Sequence, residues 1–246
     1  MTESTMTQAP AVTVLIATFN RARDLDAAIR SVFDQSLPRH EFEVVVVDDG
    51  STDDTLAVLA RYGTEIIVLP RPHEGVEAAC NAGIAVARGR YLVRVDSDDV
   101  VERDLLRALT SVLDRSHEAV AVSCDVFEDS PEASRLLQVR EDNLFDRIGC
   151  GVMMRTDVVR AAGGYRQTFW EEYDLFLRLS EKGRFLHVAR PLYRYRRHET
   201  NRTLDEGQRT RGWLDLIERW GLDHLRAFGS HEELERVARS VPAGQR

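Results

Sequence analysis

Three carboxylates within four positions, Asp96, Asp98 and Asp99, stand at the end of the apolar run "RYLVRV". Like charges so close disfavour one another's ionisation unless a cation offsets them, and hard oxygen ligands favour Mg2+ or Mn2+. Asp48 and Asp49 end a second apolar run, "FEVVVV", and Thr18, Phe19 and Asn20 follow a third, "VTVLIA". Ligands of open α/β sheets bind outside the carboxyl ends of the strands, so three polar tips describe one crevice. A lone Asp-x-Asp favours a blander reading, acids capping the helix at "VERDLL"; the company of two further tips favours a site. A second acidic group, Glu171, Glu172 and Asp174, opens "WEEYDLFLRL", where Leu175, Phe176 and Leu179 anchor one face and the first turn is left for a cleft. Its alternative is again charge suited to a helix N-terminus. His198 follows "YRYRR"; its ring is competent as a metal ligand or, protonated, as a phosphate partner, and Arg194, Arg196, Arg197 and Arg202 add charge to the same stretch.

The elements that must position these groups alternate between β-rich and helical patterns, the signature of βαβ units on a mainly parallel sheet. Strands are expected at Val12 to Ala17, Phe42 to Val47, "EIIVLP", the "RYLVRV" stretch and "AVAVSCDVF", the last with Val120, Val122, Cys124 and Val126 on one side. Helices are expected over "RDLDAAIRSVFDQS" with Asp24 as cap, after a Thr52 to Asp54 cap toward Tyr62, over "GVEAACNAGIAVARG" ending at Gly89, and over "ERDLLRALTSVLDRS". The charged connection from Asp129 to Gly149 reads as a mobile surface segment. Then follow "CGVMMR", a helix at "TDVVRAAGG", the acidic helix, and two short strands, "RFLHVA" and "PLYRYRR". From Arg209 onward the tail is helical, broken near Gly221 and Gly229. Its stripe of Trp213, Leu216, Ile217, Trp220 and Leu225 reads as packing, ahead of a homodimer contact or a peripheral membrane surface, because the polar face lacks the basic excess that anionic lipid selects.

Forty-three per cent hydrophobic and thirty per cent charged residues over 246 positions describe an ordinary globule, and no apolar run approaches the roughly 20 residues of a membrane helix. A formal net charge of -8 excludes a protein whose main work is coating nucleic acid. Cys80, Cys124 and Cys150 are far apart and without paired metal-ligand spacing, so they are expected as buried small side chains. The opening "MTESTMTQAP" lacks a basic start and an apolar centre; it reads as a disordered lead over residues 1–10, and a cytoplasmic location, at most at the inner membrane face, is expected.

Four stretches in order, "TFNR", "VDDGSTDDT", "GVEAACNAGIAVARGRYLVRVDSDD" and "WEEYDLFLRL", resemble the family 2 glycosyltransferases, inverting enzymes with a GT-A nucleotide-binding fold. The resemblance runs from Val12 to about Thr203. It implies one GT-A-like α/β domain over residues 11–208, with a donor half to about residue 127 and an acceptor half beyond it, followed by a helical extension over 209–246. It also implies a nucleotide-diphosphate sugar donor held by Thr18, Phe19, Asn20, Arg21, Asp48, Asp49, Asn81, Asp96 and Ser97. Asp98, with Asp96 and His198, would ligate Mn2+ or Mg2+, and Asp99 would support them. The acceptor would be a glycan, a lipid-linked sugar or a small molecule. In the family this stretch commonly reads Glu-Asp-aromatic-Asp with the second acid as base; that position is Glu172, with Glu171 as the alternative because this chain has Glu where the family has Asp. The family often carries a basic residue where this chain has Cys80, and an apolar one where it has Arg94. A sugar nucleotidyltransferase and a sugar-nucleotide-binding module without catalysis are the rival readings.

Overall fold

The structure, a computed structural model, describes residues 9–240, so the expected lead falls almost wholly outside it. Four parallel strands, β1 (Val12–Thr18), β2 (Phe42–Asp48), β3 (Ile67–Pro70) and β4 (Tyr91–Arg94), lie in the order β3-β2-β1-β4. The sheet then turns mixed: β8 (Met153–Arg155) runs antiparallel to β4, β6 (Ala119–Asp129) antiparallel to β8, β9 (Arg184–Arg196) parallel to β6, and β5 (Val100–Val101) antiparallel to β9. A short β7 (Ser134–Leu137) pairs with β6 off this path.

Strands buried on both faces need apolar side chains at every position, which is why β1 and β2 read as continuous apolar runs. Val14, Ile16, Val44, Val46 and Val93 face one core, against α1 (Leu25–Phe33), α2 (Thr55–Ala60) and α4 (Leu105–Arg115). Leu15, Val45, Val47 and Leu92 face the other, against α3 (Val76–Val86), α5 (Thr156–Ala161), α6 (Glu171–Ser180) and the tail helices α7 (Glu206–Trp220), α8 (Leu222–Ala227) and α9 (Glu232–Ser240). Small residues let α3 lie close to the sheet: a Cβ on Gly83 would come within 2.1 Å of Leu15 Cδ1.

Several local expectations are corrected. Gly89 does not cap α3, which ends three residues earlier; a Cβ there would lie 2.2 Å from the Thr13 backbone nitrogen, so close approach to β1 demands glycine. Asp24 stands at the N-cap of α1 but its side chain accepts no capping hydrogen bond, whereas the cap expected within Thr52 to Asp54 is present, the Thr55 nitrogen donating to the Asp53 carboxylate. A bulge between Ala119 and Ala121 turns Val120 into the opposite core from Val122, Cys124 and Val126. The segment expected to be mobile carries β7 and a helical turn, Leu144–Asp146, with Leu144, Phe145 and Arg147 buried. The two strands expected after α6 are one strand, β9, with its irregularity between Val188 and Tyr193. The tail breaks where expected, at Gly221 and Gly229, both at positive φ. Its stripe is core: Trp213 lies within 5.6 Å, centroid to centroid, of Phe145, Trp170 and Tyr173. All three cysteines are buried, as expected.

Candidate active site

Adjacency of β2, β1 and β4 brings the three polar tips to one edge. They border a cavity of about 790 Å³, whose wall includes Thr18, Phe19, Arg21, Asp49, His73, Glu77, Arg94, Asp96, Ser97, Asp98, Thr168, Phe169, Arg202 and Arg211. A second cavity of about 370 Å³ shares Arg21, Arg94, Asp96, Asp98, Phe169 and Arg202 with it and adds Glu171, Glu172, Tyr195 and Arg197. The shared residues make the two a continuous cleft, walled on one side by the strand tips and on the other by the start of α6, the segment after β9, and α7.

At its centre Asp98 Oδ2 lies 2.9 Å from His198 Nε2 and accepts from Arg21 at 3.1 Å. Thr200 Oγ1 lies 2.9 Å from the other ring nitrogen of His198, so the imidazole is oriented from both sides. The acids do not cap α4: β5 intervenes, and Asp104 stands at the N-cap. Asp96 does not join Asp98 and His198 in a compact ligand trio; its Oδ1 accepts from Arg94 Nε at 2.7 Å. Carboxylate oxygen and neutral imidazole nitrogen from the Asp98–His198 pair fit Mn2+ or Mg2+ as donors, with room in the open cleft for oxygens from a diphosphate.

Asp99 is fully buried. It accepts from the Arg196 nitrogen at 2.7 Å and the Tyr193 hydroxyl at 2.8 Å, fastening the acidic turn to β9. Burial first, then the charge of Asp96, pushes its carboxyl well above the usual carboxylate range. Asp96, Asp99 and Cys150 offer ligand atoms within 4.8 Å of one another. Burial holds the Cys150 thiol well above its usual range, and the Asp99 oxygens already carry these bonds, so this group binds the turn to the fold.

Three expected donor contacts face elsewhere. Asn20, held at φ 52°, accepts on Oδ1 from the Thr52 nitrogen at 2.8 Å and staples the β1 tip to the β2 loop. Asn81 bonds both the nitrogen and the carbonyl of Tyr165, tying α3 to the turn before α6. Asp48 is buried and accepts from the Ser51 nitrogen within its own turn. Asp49 does border the cavity, but its carboxylate accepts from the Glu74 and Gly75 nitrogens at 2.9 and 3.0 Å and lies 2.9 Å from His73 Nδ1. Phe19, 39% exposed, stacks on His73 with centroids 4.0 Å apart and offers a flat apolar face. Ser97 is buried between the two acids.

The two candidate bases differ sharply. Glu171 is buried and paired with Arg94 and Arg202, each at 3.1 Å. Glu172 is half-buried in the second cavity, and among the described residues no other residue forms an ion pair or hydrogen bond with its carboxyl, which meets only its own backbone amide. Gly149 leaves its space: a Cβ there would sit 3.1 Å from Glu172 Cβ. Burial, then the charge of Glu171, pushes the Glu172 carboxyl up to about 8, while Arg94 and Arg202 pull the other way.

Residue patterns alone did not reveal Glu77, which pairs with Arg202 at 3.4 Å and whose carboxyl burial raises, nor His73 and Tyr193. The nearness of Arg94 and Asp96 in the chain carries one signal, since the two pair directly just past the end of β4. The other three meet their partners only through folding.

A model of the family described as "Glycosyl transferase family 2" matches residues 13–163. The hyaluronan synthase of Pasteurella multocida is 26% identical over 215 residues, which is 82% of this chain and 22% of that protein. The putative glycosyltransferase EpsE of Bacillus subtilis is 27% identical over 209 residues, 78% of this chain and 74% of its own length. The chain spans only about a fifth to a third of the first curated relatives it matches. Among solved structures, Staphylococcus aureus TarS residues 1–349 in complex with UDP-GlcNAc superposes with a TM-score of 0.70 at 19% identity, over 88% of this chain and 71% of that one. The fold is that of the GT-A glycosyltransferases. With that match over more than half of its length, the chain belongs to glycosyl transferase family 2.

Proposed function

We propose that this protein transfers a sugar from a nucleoside-diphosphate sugar to an acceptor hydroxyl with inversion at the anomeric carbon, in the synthesis of a glycan or cell-surface polysaccharide. The observation that carries the reading is the unpartnered, half-buried Glu172 in a cavity that shares a wall with the Asp98–His198 pair. The Glu172 carboxylate takes the proton of the acceptor O–H, that oxygen bonds to the anomeric carbon, and the bond from this carbon to the diphosphate oxygen breaks, releasing nucleoside diphosphate. A carboxyl poised near 8 is a stronger base than one at 4.5, which suits it to an alcohol proton. Glu171, engaged by two guanidinium groups, is the weaker candidate.

Asp98 and His198 would hold Mn2+ or Mg2+, which would supply positive charge against the departing diphosphate. Phe19 and His73 offer the base a stacking face, Asp49 a carboxylate edge, and Asp96 a contact for the ribose. A structural neighbour, the mannosyltransferase PcManGT of Pyrobaculum calidifontis, was solved with GDP-Man and Mn2+, and TarS with UDP-GlcNAc; both support a sugar nucleotide as donor. The relatives named hyaluronan and chondroitin synthases support a glycan acceptor.

Release of nucleoside diphosphate from a panel of sugar nucleotides with Mn2+ tests the proposal. Wild-type protein is expected to turn over one of them, and Asp98→Ala to lose both turnover and calorimetric Mn2+ uptake. Pyrophosphate as product would instead assign nucleotidyl transfer, and tight donor binding without turnover across acceptors a binding module.

A further inference from the structure

Arg94 is a guanidinium at the end of a strand whose other positions are apolar, and its side chain is 9% exposed. Its Nε donates to Asp96 at 2.7 Å and its NH1 to Glu171 at 3.1 Å. Asp96 stands on the strand-tip side of the cleft, Glu171 on the α6 side, and Arg94 borders both cavities. Glu171 in turn meets Arg202, which meets Glu77 on α3.

We infer that Arg94 is a positioning residue: it turns Asp96 toward the donor and withholds Glu171 from the acceptor, leaving Glu172 as the free acid. The inference rests on the transferase reading above. A planar guanidinium presents two edges at fixed angles, so one residue serves two carboxylates; an ammonium is a point charge without that fork. The site lies just where α3 supplies only a small side chain. Cys80 is buried, and Arg94 is close enough to act electrostatically on its thiol.

The groups that face Glu172 are Glu171 beside it, Arg94 from β4, Arg202 from the turn after β9, the Tyr173 hydroxyl, and across the second cavity the mutually paired Glu128 and Arg197, with Asp96, Asp98, Arg21 and Tyr195 lining the same cavity. Removing Arg94 deletes a positive neighbour; removing the Glu171 charge deletes a negative one.

The test uses the full chain and its Arg94→Gln, Arg94→Lys and Glu171→Gln variants, with folding followed by circular dichroism. UDP and GDP are titrated calorimetrically with Mn2+, and kcat/KM is followed against pH for the donor that turns over. Arg94→Gln is expected to weaken nucleotide binding at least tenfold and to move the acid limb of the pH profile upward. Glu171→Gln is expected to move that limb downward, and Arg94→Lys to recover part of the affinity. Either an unchanged affinity or an unchanged limb in folded Arg94→Gln overturns the inference while leaving the transferase reading intact. Should Arg94→Gln fail to fold, Arg94→Lys and Glu171→Gln decide, and wild-type values in both overturn it. Wild-type protein that binds neither nucleotide overturns the transferase reading, and this inference with it.

Discussion

At the scale of single residues, Glu172 offers the sharpest experiments. Its folded carboxyl titrates near 8 against an ordinary 4.5, so the folded state holds this proton more tightly than the unfolded chain does. Below 4.5 the difference has no effect on stability; between 4.5 and 8 stability falls as pH rises, and above 8 the penalty is complete. Glu172→Gln is therefore expected to raise the melting temperature progressively from pH 5 to pH 8, read by calorimetry across that range. As the proposed base, Glu172 would act only when deprotonated, so kcat/KM of the wild type is expected to rise through pH 8 and then level off. Glu172→Gln should lower kcat on the order of 10² to 10⁴-fold while leaving nucleotide affinity within about twofold. A pH-independent activity would remove Glu172 from the base role.

Among the elements, α6 and α7 act as one. Trp213 on α7 packs against Trp170 and Tyr173, which bracket the two glutamates. Trp213→Ala is expected to lower unfolding free energy by about 3–5 kcal/mol in denaturant titration. Because the cavity reaches the start of α6, activity should fall more steeply with temperature than in the wild type. This dependence shows how far a sequence can be read. Apolar runs, acids at strand ends and glycine breaks identified β1, β2, β4, α6 and the tail, because local pattern and burial agree there. The bulge at Val120, the burial of Phe145 and Arg147, and the antiparallel pairing of β8 are set by contacts between distant segments, which no window of residues contains. The candidate site divides in the same way. Asp96, Asp98, His198 and the acidic start of α6 are visible by type and place, with Glu172 singled out there by the family resemblance, whereas the inward turn of Asn20 and Asn81, the pairing of Glu171 and the fastening of Asp99 depend on partners far along the chain.

For the whole molecule, both cores lie against one sheet, and the cleft is bordered by pieces from β1 through α7. No described helix is long and apolar enough to cross a membrane. Ligand that binds only the folded state raises its stability by mass action. UDP or GDP at 100 times its dissociation constant, with Mn2+, is expected to add about 2.7 kcal/mol, seen as a rise in melting temperature that chelation by EDTA reverses. A shift that survives EDTA would separate nucleotide binding from the ion.

The irregular stretch of β9 sets a count as well as a shape. Cys124 and Val126, two steps apart on β6, face Val188 and Tyr193, five steps apart on β9, so three residues are taken up there. That surplus fixes the phase in which the rest of β9 emerges, with the Tyr193 phenol and the Arg196 amide both reaching Asp99, and His198 following to meet Asp98. Chain length between Val188 and Tyr193 is thus a tuning parameter: losing a single residue there would invert the parity of everything downstream and dismantle the grip on the acidic turn from a distance, although no residue that touches that turn had been altered.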